Sequence, residues 1–193
     1  MRSWPALPDV PLRPAGQITA ELMTRGITAF RAAGRYLHHL PYSRNSDRSD
    51  FRLVLPEGRG TCSTKHALLA ELAREQNLPV VLTLGIYEMH ERNTPGVGLV
   101  LDRYGLPYIP EAHCYLRYAG TRIDVTRSGA EPAEPIDRFL YEEAIVPAQI
   151  GDYKLQLHQR FLRSWLANTG GVGGRSFTEA WKIREECIAA LAQ

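Results

Sequence analysis

Three side chains, Cys62, His113 and Asp124, have the types and the local settings needed for nucleophilic attack on a carbonyl carbon. Cys62 follows Gly58 and Gly60 and opens the run CSTKHALLAELAREQ, which continues to about Gln76 without an internal Gly or Pro. Its good helix formers and the apolar set Leu68, Leu69, Leu72 and Ala73 predict a helix, with the thiol at its N-terminus. Unpaired N–H groups and the positive end of the helix dipole favour the thiolate there, and Lys65 one turn on adds a positive charge. The two glycines allow backbone to come close to a substrate.

His113 and Asp124 join this thiol through strand parity. AHCYLRY from Ala112 and TRIDVT from Thr121 read as two strands joined through Ala119 and Gly120 as a hairpin. One face carries His113, Tyr115 and Arg117 with Arg122, Asp124 and Thr126. The other carries Cys114, Leu116, Ile123 and Val125. A register in which paired residue numbers sum to 237 sets His113 opposite Asp124, and a sum of 239 makes them diagonal neighbours. Either keeps both on one face, whereas a sum of 238 separates them. Asp124 can then hold one imidazole nitrogen while the other faces a thiol.

Competing assignments are weaker on chemical grounds. His66, one turn beyond Cys62, is a rival base, but no carboxylate is evidently placed to orient it. Glu111 is the rival for Asp124, and a solvated residue at a strand start accounts for it. A zinc site from Cys62, His66, His113 and Cys114 is opposed by alternation, which sends His113 and Cys114 to opposite faces. TGGVGGRS lacks the GK[ST] ending of a phosphate-binding loop and follows a helix, so it reads as a connector.

The elements that must hold these residues can be read outward from them. Residues 1–16 form a Pro-rich extended arm. Ile18, Leu22, Ile27, Phe30 and Leu37 then predict a helix, weakened by Gly26 and Gly34, that stops at Pro41. YSRNSDRSD is a polar loop, and FRLVL from Phe51 reads as a short strand or extended lead-in. PVVLTLGIYEM, residues 79–89, is too continuously apolar for a half-exposed strand and belongs in the middle of a sheet. Residues 90–110 read as a long connection and a candidate substrate wall, with Asn93, Tyr104 and Tyr108 as candidate substrate-binding residues. A charged loop covers about 127–138. Two helices close the chain, one from Asp152 and one from Ser176, with Ser176 and Glu179 placed for a capping box.

The segments GTCSTKHALLAEL, EAHCYLRY and TRIDVT, with the strand between the first two, resemble the core of the transglutaminase-like superfamily over about residues 55–127. The resemblance implies an α+β, papain-like fold in which a Cys-bearing helix packs on an antiparallel sheet; the helices read from the sequence over residues 17–40 and 152–192 lie outside it and are additions to that core. It implies Cys62 as nucleophile, His113 as general base and Asp124 as orienting carboxylate. The expected activity is that of a peptidase, amidase or transamidase working through a thioester on a peptide, protein or small amide substrate, with no cofactor and no metal. Arylamine N-acetyltransferase-like acyl transfer uses the same triad order and is the alternative, followed by a non-catalytic binding module that retains the core.

Composition adds boundaries. The 193 residues, 44% hydrophobic and 23% charged, suit one globular domain with a full core. A net charge of +2 gives no argument for nucleic acid, although residues 1–65 carry ten Lys or Arg against five Asp or Glu. Three cysteines at scattered spacings do not form a disulfide framework. With no signal-peptide run and no segment of membrane-spanning length, the expectation is a soluble cytoplasmic protein without membrane or nucleic-acid partners.

Overall fold

The computed structural model describes residues 1–126, 134–168 and 174–191. Its central element is the helix that carries the cysteine, α4 (Cys62–Glu75), numbered after α1 (Gln17–Thr24), α2 (Phe30–His39) and α3 (Val54–Glu57). Thr61 caps α4: its hydroxyl accepts from the Thr64 N–H, and its own N–H donates to the Thr64 hydroxyl at 3.0 Å. These bonds meet two donors that the first turn leaves without partners. Every residue from Cys62 to Ala70 is buried, polar ones included, so the helix is enclosed rather than laid on a surface.

α4 packs against β1 (Val81–Met89) and β2 (Ile109–Tyr118) of a four-stranded sheet. With β3 (Thr121–Ile123) and β4 (Tyr141–Ala144), the strands are antiparallel and ordered β3-β2-β1-β4. The apolar run around Val80 to Met89 therefore lies in the middle of the sheet, as its composition requires. Leu84, Cys114 and Leu116 join Leu68, Leu72 and the N-terminal helices in one apolar cluster. Tyr87, Met89 and Ile109 pack with α5 (Gly98–Arg103), α6 (Asp152–Asn168) and α7 (Phe177–Ala190) in a second. Burial on both faces of the sheet follows from these two clusters. The molecule is an α+β protein, and no helix among the described residues is long and apolar enough to cross a membrane.

Several elements differ from the sequence expectation. The single helix expected up to Pro41 is two, α1 and α2, because Gly26 adopts a left-handed φ of 76° and ends the first. FRLVL is helical. Asp50 caps the Arg52 N–H at 2.9 Å, Phe51, Val54 and Leu55 turn inward, and Pro56 sits within the first turn of α3, where its missing N–H costs nothing. Residues 90–110 are not a continuous loop, since they contain α5 and the start of β2. β4 had no signal in the sequence: only four residues long, it is recruited by pairing with the exposed edge of β1. The hairpin is present, turned by Ala119 (φ 46°) and Gly120 (φ 73°). Of the charged loop expected at 127–138 and the TGGVGG connector, residues 127–133 and 169–173 lie outside the described residues.

Candidate active site

Cys62 occupies the first turn of α4, where the helix offers no acceptor to its N–H. The β2–β3 pairing runs through Leu116 with Ile123, Arg117 with Arg122 and Tyr118 with Thr121, the 239 register. His113 and Asp124 are therefore diagonal rather than opposite, and Asp124 stands one residue past the strand. Parity still puts both on the same face. His113 Nε2 and Asp124 Oδ2 are 2.8 Å apart, and the His113 ring is near enough to the Cys62 thiol for each to shift the pKa of the other.

Asp124 is held from three sides. Its Oδ1 accepts from the Thr126 N–H at 2.8 Å and from the Thr126 hydroxyl. Its own N–H donates to the Arg2 carbonyl at 2.8 Å, and the Arg2 N–H donates to the Arg122 carbonyl at 2.9 Å. The Pro-rich arm thus runs beside β3 and fixes the backbone that presents the carboxylate. Sequence reading assigned that arm no role, since nothing local in residues 1–16 indicates what it pairs with. The His113 ring stacks on Tyr115 with centroids 6.4 Å apart and meets the edge of Tyr87 at 5.9 Å, so its orientation is set by packing as well.

The electrostatics of this group are those of an ion pair. Burial alone would raise the Cys62 pKa. Lys154 and His113 oppose it, together with the N–H of Cys114, and bring the thiol down to about 6. Burial would likewise lower the His113 pKa, but the Asp124 charge and hydrogen bond raise it to about 10. Asp124 itself is held far below the carboxylate range by His113 and His66 against the effect of burial. Between these limits the thiolate and imidazolium forms coexist.

His66 is excluded as the base by its own hydrogen bonds. The Val125 N–H donates to Nε2 at 2.8 Å, so the ring proton is on Nδ1, which donates to the Cys62 carbonyl at 2.7 Å. Burial lowers its pKa to about 4, leaving it neutral and structural. With both nitrogens engaged, it is also unsuited to the zinc arrangement considered from sequence. Among the described residues no group of three His, Cys, Asp or Glu side chains could hold a metal ion.

Glu111 is neither solvated nor an orienting carboxylate: it is buried against Arg184 of α7, with contacts of 2.7 and 2.6 Å, and its pKa is lowered to about 2. Lys65 does not serve the thiol as expected, because its ammonium donates to the carbonyls of Leu40 at 2.6 Å and Thr126 at 2.8 Å. Gly60 is likewise packed rather than open to a substrate. A Cβ there would meet Lys65, Thr64 and Val54 at 3.0 to 3.1 Å.

The cation that does act on Cys62 is Lys154, in the first turn of α6. Its Nζ lies 3.9 Å from Sγ and donates to the Ser63 hydroxyl at 2.7 Å. It was missed because it is 92 residues from the cysteine and sits in an ordinary amphipathic helix. Lys154 also lines a cavity beside Cys62 with Tyr42, Arg44, Arg48, Glu111 and Arg184.

Asn93, Tyr104 and Tyr108 do not line that cavity. Asn93 braces its own turn, accepting from the His90 N–H at 3.1 Å and donating to the Glu88 carbonyl at 2.8 Å. The Tyr104 hydroxyl binds Glu186 of α7, and Tyr108 packs at a tilt against Trp165 of α6, with centroids 5.8 Å apart, and accepts from its indole N–H at 3.3 Å. The apolar side of residues 97–109 is drawn into the second cluster, and Tyr104 and Tyr108 go with it to meet the C-terminal helices. No protein-family model, no curated protein and no solved structure matches this chain.

Proposed function

We propose that this chain is a thiol enzyme that acts on amide or related acyl carbonyls, with Cys62, His113 and Asp124 as its catalytic triad on a papain-like, transglutaminase-like core. The observation that carries the reading is the His113–Asp124 contact at 2.8 Å together with a thiol at a helix N-terminus that Lys154 and His113 bring down to about 6. In this mechanism the Cys62 thiolate adds to the carbonyl carbon and the carbonyl π pair moves to oxygen. The Cys62 N–H is a donor for that oxyanion. Collapse expels the amine, which takes the Nδ1 proton of the His113 imidazolium, and an acyl thioester remains. Neutral His113 then takes a proton from water or from a second amine as it attacks the thioester. The acyl group leaves as an acid or a new amide, and the thiolate and imidazolium are restored. Lys154 stabilises the thiolate between turnovers, and Asp124 keeps the imidazole turned toward it.

Trapping the acyl-enzyme tests this directly. Incubation of the full chain with a library of peptide amides, acid quenching and mass spectrometry should show an acyl adduct on the peptide that contains Cys62. The adduct should be absent in Cys62→Ala and reduced at least a hundredfold in His113→Ala. Added primary amine that appears in the released product identifies transamidation; free acid identifies hydrolysis. The proposal falls if no adduct forms with any library member, or if adducts form equally without His113.

A further inference from the structure

The cavity next to Cys62 has a charge pattern that the triad does not require. It measures about 90 Å³, and its charged lining comes from parts of the chain far apart in sequence: Arg44 and Arg48 after α2, Glu111 on β2, Lys154 on α6 and Arg184 on α7. Two of the four cations are neutralised in place. Arg184 is held by Glu111 and, at 2.6 Å, by Glu185, and Glu185 also takes Arg44 at 2.7 Å. His158, which also lines the cavity, is kept neutral by burial and bonds to the Pro110 carbonyl at 2.8 Å. Lys154 and Arg48 have no carboxylate within ion-pair distance among the described residues.

Lys154 faces the thiolate in the resting site, which gives the ammonium its counter-charge. Acylation of Cys62 removes that negative charge while Lys154 stays in a partly buried position. Leaving a desolvated cation without a counter-ion is unfavourable, and a substrate that brings its own anion into the cavity relieves the cost. A space of this size accepts several water molecules or a short carboxylate-bearing chain.

We propose that this cavity binds a carboxylate carried by the acyl part of the substrate, so that the site prefers short acidic acyl groups. The inference rests on Cys62 being the nucleophile of the proposed function. Aspartyl- or glutamyl-type acyl groups have the required size and charge, and the exposed Arg48 with the half-buried Lys154 supplies the recognition.

The test compares two alkylating reagents of nearly equal shape, iodoacetate and iodoacetamide, which differ in carrying a carboxylate or a neutral amide. Second-order rates at Cys62 are measured by mass spectrometry on the full chain at pH 7.5 and low ionic strength. The quantity read is the iodoacetate to iodoacetamide ratio, which cancels changes in thiol reactivity. Arg48→Glu should lower this ratio about fivefold, and Arg48→Gln by a smaller factor in the same direction, as expected for loss of a charge-assisted contact at an exposed position. Arg25→Glu, the same charge change at an exposed arginine outside the cavity, should keep the ratio within about twofold of wild type, which would separate a local site from the net charge of the molecule. The inference is overturned if neither Arg48 variant changes the ratio, or if Arg25→Glu changes it as much as Arg48→Glu does. Alkylation needs no acyl turnover, so the two readings fail separately: an acyl-enzyme with an unresponsive ratio removes the anion site alone. A responsive ratio without an acyl-enzyme removes the amide chemistry and keeps the anion site.

Discussion

Each cysteine in this chain has a different surrounding, and its chemistry should follow that surrounding. Cys62 is brought down to about 6 by Lys154 and His113, whereas burial pushes Cys114 and Cys187 up to about 11. Iodoacetamide should therefore modify Cys62 first, with a rate that rises through a midpoint near pH 6. His113→Ala and Lys154→Met should each move that midpoint upward by at least one pH unit. His66→Gln should leave it within about half a unit, since His66 is a neutral bridge between the Cys62 carbonyl and the Val125 N–H. Site-resolved labelling rates from pH 5 to 9 supply the measurement. A midpoint that follows His66 instead of His113 would reverse the assignment of the base.

Helix α7 is joined to β2 by a buried ion pair, which makes the element testable as a unit. Arg184 reaches Glu111 through two bonds in a setting where the side chains are 11% and 7% exposed. Removing one partner of such a pair leaves a buried charge with incomplete compensation, and costs about 3 kcal/mol. Glu111→Gln should lower the denaturation midpoint accordingly and weaken amide protection in α7. The double change Glu111→Leu with Arg184→Met should recover part of that loss, because neither charge then remains to be desolvated. Hydrogen exchange resolved to peptides and guanidinium unfolding together check the pattern. Equal destabilisation by the single and double changes would mean that packing, rather than charge, holds the helix.

The stability of the whole molecule should be nearly level from neutral pH to about 9 and fall on the acid side. His66 binds its proton at about 6.5 when unfolded and at about 4 when folded, so the unfolded state takes up more protons between those values. Its contribution is complete above 6.5 and is lost as the pH falls to about 4, by roughly 3 kcal/mol. Glu111, lowered to about 2, adds a further loss below about 4.5. On the other side, His113 is raised to about 10, so its stabilisation declines from about 6.5 upward. Cys62 is lowered to about 6, so its stabilisation grows from there to about 9 and offsets that decline. Chemical denaturation at pH 9, 7 and 5 should show two similar midpoints and one lower. His66→Gln should reduce the difference between pH 7 and pH 5.

Local residue chemistry was enough to read the helix that begins at Cys62, the buried strand around Val80 to Met89 and the hairpin with His113 and Asp124 on one face. Each depends on interactions between near neighbours: a continuous run of helix formers, an unbroken apolar stretch, and the two-residue alternation of strands about a tight turn. Parity limited the register to two choices without selecting one, and the observed pairing selected the diagonal. The amphipathic pattern of residues 152–168 predicted a helix but not which helix it meets, so Lys154 gave no sign of reaching a sulfur 92 residues away. The same limit concealed the arm that holds Asp124 through Arg2, the ion pair of Glu111 with Arg184, and the short strand β4, which forms only because β1 leaves an edge to pair with. A spacing along the chain reports the conformation of a segment. Which charges share a cavity depends on how the segments pack, and in this protein that packing brings Lys154 to Cys62 and draws Tyr104 and Tyr108 to the C-terminal helices.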